Sequence, residues 1–277
     1  MRLTIDNKSK QEVFVALFQI LKHWSSHINL HFEKNSLYIQ AMDKSHICLG
    51  VIDIKDKWFS SYDCSQTNKI SVDSTHFAIL MNYGSKHNTI ELKFEDESEP
   101  DKLYINFVNA LEQKSALEQK SASEKKSASE KKNGSFDHFF ELNLIDVEED
   151  SLGIPEVEYD VDFTIDSKKL SEVLSELNAF GQDLNIICKE EVIELNASGD
   201  AAKLKVNIPT DELNEYAITE GEELNISFSL NHLCKMCCST KLGATIDVSL
   251  SGEYPMSLKY NLGDESHVSF YIAPKIS

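Results

Sequence analysis

The stretch "LYIQAMDKSHICLGVI", residues 37–52, decides the fold because "IELNASGDAAKLKVNI", residues 193–208, repeats its pattern. In both stretches apolar and polar side chains alternate on either side of a polar turn, which predicts two β-strands joined as a hairpin. A second pair of phrases agrees with the first: "FAILMNYGSKHNTIELKF" at 77–94 and "HLCKMCCSTKLGATIDVSL" at 232–250. The chain therefore contains one structural unit twice.

Apolar residues at helical spacing predict two helices in each unit, and alternation with β-branched residues predicts the strands. The predicted helices are 8–24, 74–83, 167–180 and 231–240. The predicted strands are 28–33, 37–41, 47–54, 89–94, 103–108, 136–144, 161–165, 184–188, 193–197, 204–208, 224–230, 245–250, 256–260 and 268–272. Short strands joined by turns indicate an α+β fold class, with two similar domains that each pack two helices on antiparallel sheet.

The expected boundaries are an N-terminal domain at 1–144, an interdomain connector at 145–160 and a C-terminal domain at 161–277. The first domain contains a low-complexity insertion at 110–134, within which Glu112–Lys132 repeats a six-residue phrase with one large aliphatic residue. Six residues turn a helix by about 600°, so no continuous apolar stripe forms. The insertion is expected to be a solvated loop, with a basic nucleic-acid tether or a nuclear-import signal as the alternatives.

Composition and charge exclude several classes of protein. The 277 residues are 41% hydrophobic and 26% charged, as in soluble globular proteins. The first ten residues lack the apolar region of a signal peptide, and the apolar run at 13–21 is too short for a membrane helix of about 20 residues. We therefore expect a soluble intracellular protein with no membrane partner. A net charge of −19 argues against general attraction to nucleic-acid phosphates.

The six cysteines show no disulfide spacing, and Cys234 and Cys237 form a single Cys-x-x-Cys pair. A structural zinc site needs four ligands, usually as two pairs, and His232 is the one further candidate nearby. We expect buried thiols on a helix face, with no metal and no cofactor.

The polar corner Asp43–His46 allows three interpretations: a catalytic loop, a hairpin corner, or the rim of a binding pocket. An Asp/His acid–base pair needs a third positioned group and a cleft. No serine, cysteine or metal-ligand spacing supplies that group, so no catalytic residue is predicted and the protein is not expected to be an enzyme. The residues alone leave the hairpin corner and the pocket rim open.

Four phrases together resemble a known family: "IQAMDKSH" at 39–46, "LGIPEVEY" at 152–159, "ASG" at 197–199 and "YIAPKI" at 271–276. The chain resembles the eukaryotic-type sliding DNA clamps, proliferating cell nuclear antigen, over nearly its whole length except the repeat. The resemblance implies a homotrimeric ring with pseudo-six-fold symmetry that encircles double-stranded DNA, with helices lining the hole. Strands 136–144 and 202–208 are the candidates for joining one subunit to the next.

The resemblance also implies a pocket for short partner peptides that carry a Gln, an aliphatic residue and two aromatic residues. Mapped residue by residue, the pocket comprises Met42, His46, Leu49, Leu152, Ile154, Pro255, Tyr271 and Pro274, with Ala273 and the adjacent backbone receiving the Gln. The stretch 152–159 of the connector supplies one wall, which Pro155 stiffens. The implied partners are DNA polymerase, other peptide-bearing proteins and a clamp loader, in DNA replication and repair. The implied location is the nucleus, or a viral replication site for a virus-encoded clamp.

The chain departs from the family where inward-facing lysines and arginines are expected on the helices. The aligned positions are Gln11, Glu12, Ala78, Met81, Glu172, Ser175, Asn231 and Cys238. The candidates for replacement DNA contacts are Lys10, Lys168, Lys235 and Lys241, which are equally well explained as ordinary solvated residues. The lost cations also leave an alternative function open: a monomeric or heteromeric clamp-fold scaffold that does not slide on DNA.

Overall fold

The computed structural model describes residues 1–84, 86–94, 100–109, 136–147, 151–237 and 239–275. The predicted insertion at 110–134 lies outside the described residues, so its solvated loop stays a prediction.

Two helices and nine strands make up the first half of the described chain. They are β1 Arg2–Ile5, α1 Lys8–Leu21, β2 His27–Phe32, β3 Ser36–Met42, β4 Cys48–Lys55, β5 Ser61–Asp63, β6 Asn68–Asp73, α2 Ser74–Gly84, β7 Thr89–Lys93, β8 Lys102–Val108 and β9 His138–Asn143.

The second half repeats this order element by element. Its elements are β10 Val161–Asp166, α3 Ser167–Asn178, β11 Asp183–Cys188, β12 Val192–Ser198, β13 Lys203–Pro209, β14 Glu215–Ile218, β15 Leu224–Ser229, α4 Leu230–Met236, β16 Thr245–Leu250, β17 Met256–Gly263 and β18 Ser266–Ile272. Each half therefore has two helices among antiparallel strands, which confirms the predicted α+β fold class.

Equivalent hydrogen bonds show how closely the halves correspond. The Tyr62 hydroxyl of β5 donates to the Glu33 carbonyl at 2.6 Å, in the turn between β2 and β3. The Tyr216 hydroxyl of β14 donates to the Lys189 carbonyl at 2.6 Å, in the turn between β11 and β12. The same side chain thus ties the same strand to the same turn in both halves.

The strands form three antiparallel sheets, and the largest is shared by both halves. Their orders are β5-β1-β7-β8-β9, β14-β10-β16-β17-β18-β4-β3-β2-β6 and β13-β12-β11-β15. The nine-stranded sheet exists because β18 pairs with β4, from His267 opposite Asp53 to Ile272 opposite Cys48. This β18–β4 junction makes the two halves one continuous wall.

The helices pack in pairs, α1 against α2 and α3 against α4, and cover the sheets. Asn7 begins α1 by accepting a hydrogen bond from the Lys10 amide at 3.1 Å. Inside the first half, Phe18 meets Phe14 and Phe77 edge to face, at centroid distances of 5.0 and 4.6 Å. Among the described residues no helix is long and apolar enough to span a membrane.

Several predicted boundaries were wrong by a few residues, for physical reasons. Helix α1 ends at Leu21 and not at Trp24, because the chain turns so that the Trp24 ring packs on Phe270 of β18 at 5.2 Å. Helix α4 ends at Met236, since Cys237 leaves helical geometry with φ −94° and ψ 8°. Strands β1, β5, β6 and β14 were not predicted, because three to six residues are too few for an alternation to stand out from chance.

Candidate functional site

A row of side chains on the outer face of the nine-stranded sheet forms the floor of a pocket. Met42 of β3 lies opposite Leu49 of β4, and Leu49 lies opposite Tyr271 of β18. Directly opposite residues of antiparallel strands point to the same face, so the three side chains stand together. The β18–β4 junction therefore builds the floor.

The connector and the turn between β16 and β17 supply the walls. The pocket has a volume of about 330 Å³ and falls at the small end of the roughly 300–1,000 Å³ range of ligand sites. Its lining residues are Met42, His46, Ile47, Cys48, Leu49, Leu152, Gly153, Ile154, Pro155, Val157, Tyr159, Tyr254, Pro255, Tyr271 and Ala273. Most of these side chains are apolar, and polar groups are few.

The structure brings together eight of the nine residues that the sequence assigned to the pocket. Pro274 is the exception: it directly follows the lining residue Ala273 but does not line the pocket. Four further lining residues, Gly153, Pro155, Val157 and Tyr159, belong to the stretch 152–159 that the sequence assigned to one wall. The sequence interpretation missed three lining residues, Ile47, Cys48 and Tyr254, which lie next to mapped positions.

Large apolar side chains remain exposed around this pocket. Leu152 is 50% exposed, and Ile154, Tyr254 and Ile47 are each more than a third exposed. Exposed apolar side chains clustered around a concavity mark a binding surface, whereas scattered ones do not. The pocket is therefore suited to apolar anchors from a partner.

Asp43 organises the corner between β3 and β4. Its carboxylate accepts hydrogen bonds from the backbone amides of Ile47 at 2.8 Å, Cys48 at 2.6 Å and Ser45 at 3.1 Å, and also from the Ser45 hydroxyl. His46 stands in the left-handed region, with φ 59°, at the tip of this corner. Asp43 is thus a hairpin residue, and His46 lies at the pocket rim.

The electrostatics of this corner do not suit a nucleophilic site. Partial burial raises the pKa of Asp43, but hydrogen bonds from the Ser45 hydroxyl and from three amides outweigh burial and leave the net pKa below its ordinary value. Burial, aided by the Asp43 charge, raises the pKa of the neighbouring Cys48 thiol to about 12. The carboxylate is therefore kept charged and the thiol is kept protonated.

His232 of α4 approaches this corner without forming a catalytic triad. Its Nε2 lies 3.4 Å from the Ser45 hydroxyl and 3.6 Å from Asp43 Oδ2, while its Nδ1 lies 2.9 Å from the Ser229 hydroxyl. A triad needs a hydrogen bond between the histidine and a carboxylate. At 3.6 Å the contact between His232 and Asp43 is longer than a hydrogen bond, and Asp43 is already hydrogen-bonded within its own corner, so the cluster only joins the two halves.

The Cys-x-x-Cys pair does not converge on a metal site. The Cys234 thiol donates to the Leu174 carbonyl at 3.5 Å, and Cys237 is buried in the core. Within the described ranges, no group of three or more His, Cys, Asp or Glu side chains has an arrangement that could hold a metal ion.

The lysines predicted to face DNA lie at the helices, but most are already paired with carboxylates. Lys10 Nζ is 2.8 Å from Asp264 Oδ2 and donates to the Trp58 carbonyl at 2.7 Å. The other pairs are Lys168–Glu172 at 3.8 Å and Lys241–Glu12 at 3.6 Å. Lys235 is exposed on α4. The charge available to a phosphate is therefore smaller than the lysine count indicates.

The alignment of inward-facing positions was wrong at three residues. Gln11, Ala78 and Met81 are fully buried, so they cannot face a hole. Gln11 instead donates to the Ile5 carbonyl at 2.9 Å and to the Asn88 carbonyl at 2.7 Å, which ties α1 to two strands. The exposed face of α2 carries Thr75, His76, Ile79, Asn82 and Tyr83, so the shortage of cations on this helix is real.

Two matched domains joined by a shared sheet, with helices on one side and a pocket on the other, define a protein of the DNA-clamp class. The family model "Proliferating cell nuclear antigen, N-terminal domain" matches residues 6–125, and "Proliferating cell nuclear antigen, C-terminal domain" matches residues 153–275. The chain belongs to the proliferating cell nuclear antigen family, as its sequence resemblance indicated. It is a sliding clamp, of a family whose members are non-enzymatic processivity factors and typically nuclear homotrimers.

Curated relatives agree over nearly the full length. The chain is 28% identical to proliferating cell nuclear antigen of Chaetomium thermophilum over 253 residues, which covers 90% of this chain and 88% of the relative. It is 26% identical to proliferating cell nuclear antigen 2 of Plasmodium falciparum over 272 residues, 96% of each protein.

Removing the Asp43 side chain is expected to destabilise the hairpin corner. Asp43→Ala loses four hydrogen bonds to a charged group and should lower the free energy of unfolding by about 2–3 kcal/mol. Asp43→Asn keeps one acceptor and should lose about half as much. The pKa of Asp43 is lowered in the folded protein. The stabilisation that depends on its charge is therefore fully present above about pH 4 and is lost as the pH falls through the pKa of the folded protein.

Urea unfolding of the three proteins between pH 7 and pH 3 measures both effects. The matched control is Asp200→Ala in the equivalent β12–β13 turn, where Asp200 is exposed; it should change stability by less than about 0.5 kcal/mol. Equal losses at Asp43 and Asp200 would contradict the organising role.

Proposed function

We propose that the chain closes with two further copies into a ring around duplex DNA and docks partner proteins through its pocket. DNA polymerase and other proteins bearing Gln/aliphatic/aromatic peptides bind there, and a clamp loader opens the ring. The complex acts in replication and repair in the nucleus. The observation that carries this proposal is the β18–β4 junction, because the strands equivalent to its two partners stand at open sheet edges.

The strands equivalent to β18 and β4 are β9 and β13. Strand β9 follows β8 as β18 follows β17, and β13 follows β12 as β4 follows β3. Among the described residues each of the two ends a sheet, and an unpaired edge is a template for another strand. If β9 of one copy pairs with β13 of the next, the sheet continues from copy to copy, and such a head-to-tail contact forms a ring when its rotation closes.

The register of the β18–β4 junction can be transferred to these edges. Tyr271 lies opposite Leu49 in that junction, and the equivalent residues are Glu141 of β9 and Lys203 of β13. The next pairs are Phe140 with Leu204 and Phe139 with Lys205.

Three observations support this register. Phe140 and Leu204 both pack against the core, whereas Glu141 and Lys203 are both exposed on the other face. Facing residues thus match in chemistry, with opposite charges and apolar contacts that stabilise strand pairs. Phe136 and Phe139, at 83% and 71% exposure, are the most exposed large apolar side chains of the described residues, and both lie at β9.

The pocket suits aromatic and aliphatic anchors, because its floor is apolar and its rim leaves Leu152 and Ile154 exposed. Anchors buried in such a centre supply most of the energy of a peptide interface. The Ala273 amide already donates to the Ile47 carbonyl at 3.0 Å. A peptide glutamine is therefore left with the Ala273 carbonyl as its acceptor.

DNA is held mainly by encirclement. A ring does not need strong contacts to stay on a duplex, and the pairing of Lys10, Lys168 and Lys241 with carboxylates leaves few cations for phosphates. Few phosphate contacts predict a shallow dependence of binding on salt.

Charge reversal tests the ring and its register together. Wild-type protein should scatter light as a particle near three times the 31.3 kDa of one chain. Lys203→Glu, which places two like charges opposite each other, should shift dissociation to higher concentration, and Glu141→Lys combined with Lys203→Glu should restore it. A wild-type monomer throughout a dilution series contradicts the ring, and failure of the double variant to recover contradicts the register.

Truncating the pocket floor tests peptide docking. Tyr271→Ala should lower the affinity for a synthetic Gln/aliphatic/aromatic peptide by about 30-fold or more, as expected for a central anchor contact. The control is Tyr104→Ala, which removes a half-buried tyrosine from β8, outside the pocket. Titration calorimetry gives the affinities, and light scattering checks that both variants still assemble. Equal peptide affinity in the two variants would rule out the pocket.

Blocking DNA ends tests encirclement. Protein is added to linear duplex with biotinylated ends, streptavidin is bound to both ends, and the DNA is washed at high salt. Protein retained on capped DNA, released by internal cleavage and absent from uncapped DNA is the expected result. Equal loss of protein from capped and uncapped DNA would favour the alternative function, a clamp-fold scaffold that does not slide on DNA. The pairing of lysines with carboxylates is also compatible with that alternative.

A further inference from the structure

The connector crosses the outer face of the nine-stranded sheet, where the strands below it offer no backbone partners. Strand β3 pairs with β2 on one side and β4 on the other, so its amides and carbonyls are used within the sheet. A segment crossing that face can be held only by side chains. Gln40 is the β3 side chain that reaches it, two residues before Met42 of the pocket floor and on the same face.

Gln40 forms hydrogen bonds with both the amide and the carbonyl of one connector residue. The Leu152 amide donates to Gln40 Oε1 at 2.6 Å, and Gln40 Nε2 donates to the Leu152 carbonyl at 3.0 Å. The side-chain amide thus acts as a substitute peptide group and gives Leu152 the paired hydrogen bonds of an antiparallel strand partner.

Tyr38 fixes the orientation of this amide. The second N–H of Gln40 Nε2 donates to the Tyr38 hydroxyl at 3.1 Å, so both donors and the oxygen of the amide are engaged. A flipped amide would set its NH₂ group against the Leu152 N–H. Only one orientation satisfies all three contacts.

Within the described part of the chain, the hydrogen bonds of Leu152 are those with Gln40. The Leu152 side chain is 50% exposed, and it stands between the pocket and a second cavity of about 430 Å³ on its other side. Both cavities are lined by Met42, His46, Leu49 and Leu152. The position of the wall between them therefore depends on the Gln40 contacts.

The geometry points to Gln40 as the positioning residue of the pocket: it holds the connector wall open in the free protein, ready for a partner peptide. This inference rests on the proposed function of the pocket. A wall that is held in place does not have to be ordered by the peptide, and the apparent affinity falls by the fraction of molecules whose wall is displaced.

Gln40→Ala is expected to lower the affinity for a synthetic Gln/aliphatic/aromatic peptide about tenfold and to slow its association. Hydrogen exchange of the Leu152 amide, which loses its acceptor, should be faster in the free variant and should slow when saturating peptide covers the connector. A global loss of structure would also speed exchange of amides far from the connector, which should stay unchanged. Tyr38→Phe, which loses only the orienting hydroxyl, should have an intermediate effect.

Two further variants keep the test decisive. Gln40→Glu preserves the acceptor for the Leu152 amide but sets a carboxylate against the Leu152 carbonyl. It should therefore weaken peptide binding without creating a cavity. Asn196→Ala is the matched control, because Asn196 is the half-buried equivalent of Gln40 on β12 and lies away from the pocket. It should change neither peptide affinity nor Leu152 exchange.

The outcomes separate the inference from the proposed function. If wild-type protein does not bind the peptide, the proposed pocket fails, whereas Leu152 exchange in the free variants still measures the hold of Gln40. If wild-type protein binds and both Gln40 variants bind equally well with unchanged exchange, the positioning role is overturned. Loss of affinity with unchanged Leu152 exchange overturns it as well.

Discussion

The pairing of β18 with β4 is the constraint on which the rest of the structure depends. These strands come from opposite halves of the chain, and their six-residue register joins two sheets into one of nine strands. Backbone groups at a sheet edge need partners, so the two halves cannot separate without exposing both strands. The same register sets Leu49 beside Tyr271 and so builds the pocket floor. Trp24 adds a contact behind the junction by packing on Phe270 and lying close to Gly50.

Charge sets a second constraint, on how such a protein can hold DNA. A chain with a net charge of −19 is repelled by a polyanion at long range, and three of its four lysines predicted to face DNA have carboxylate partners. Affinity from phosphate contacts is then small, and a binding mode that relies on it would fail at cellular salt. A closed ring avoids this limit, because its lifetime on DNA depends on the strength of its subunit junctions and not on attraction to the duplex.

Much of the fold could be predicted from the sequence, because the same alternation of apolar and polar residues occurs in both halves of the chain. The end of helix α4 and the short strands could not be predicted, since they depend on tertiary contacts that a local sequence pattern does not reveal. At the site, Met42, Leu49 and Tyr271 were assigned through their motifs, whereas Ile47, Cys48 and Tyr254 were missed because they lie beside the mapped positions. Gln11 shows the opposite error: a polar residue at a helix start suggests a solvated face, yet it is buried because two backbone carbonyls satisfy its amide.

Duplication also poses a question: why, among the described residues, this apolar pocket lies at one of two equivalent hairpins. At the β18–β4 junction the row across the sheet is Met42, Leu49 and Tyr271, and the connector walls it in. The equivalent row of β12 and β13 is Ser198 and Lys203, and in the proposed ring Glu141 of the next copy continues it, so this row is polar and charged. Charged pairs at a sheet edge favour a defined register and disfavour the binding of apolar anchors, while an apolar row does the reverse. In the proposed ring, one backbone geometry thus serves two purposes. Inside the chain the covalent link already secures the pairing, so the outer face is free to be apolar. Between copies of the proposed ring, the same face has to specify the junction itself.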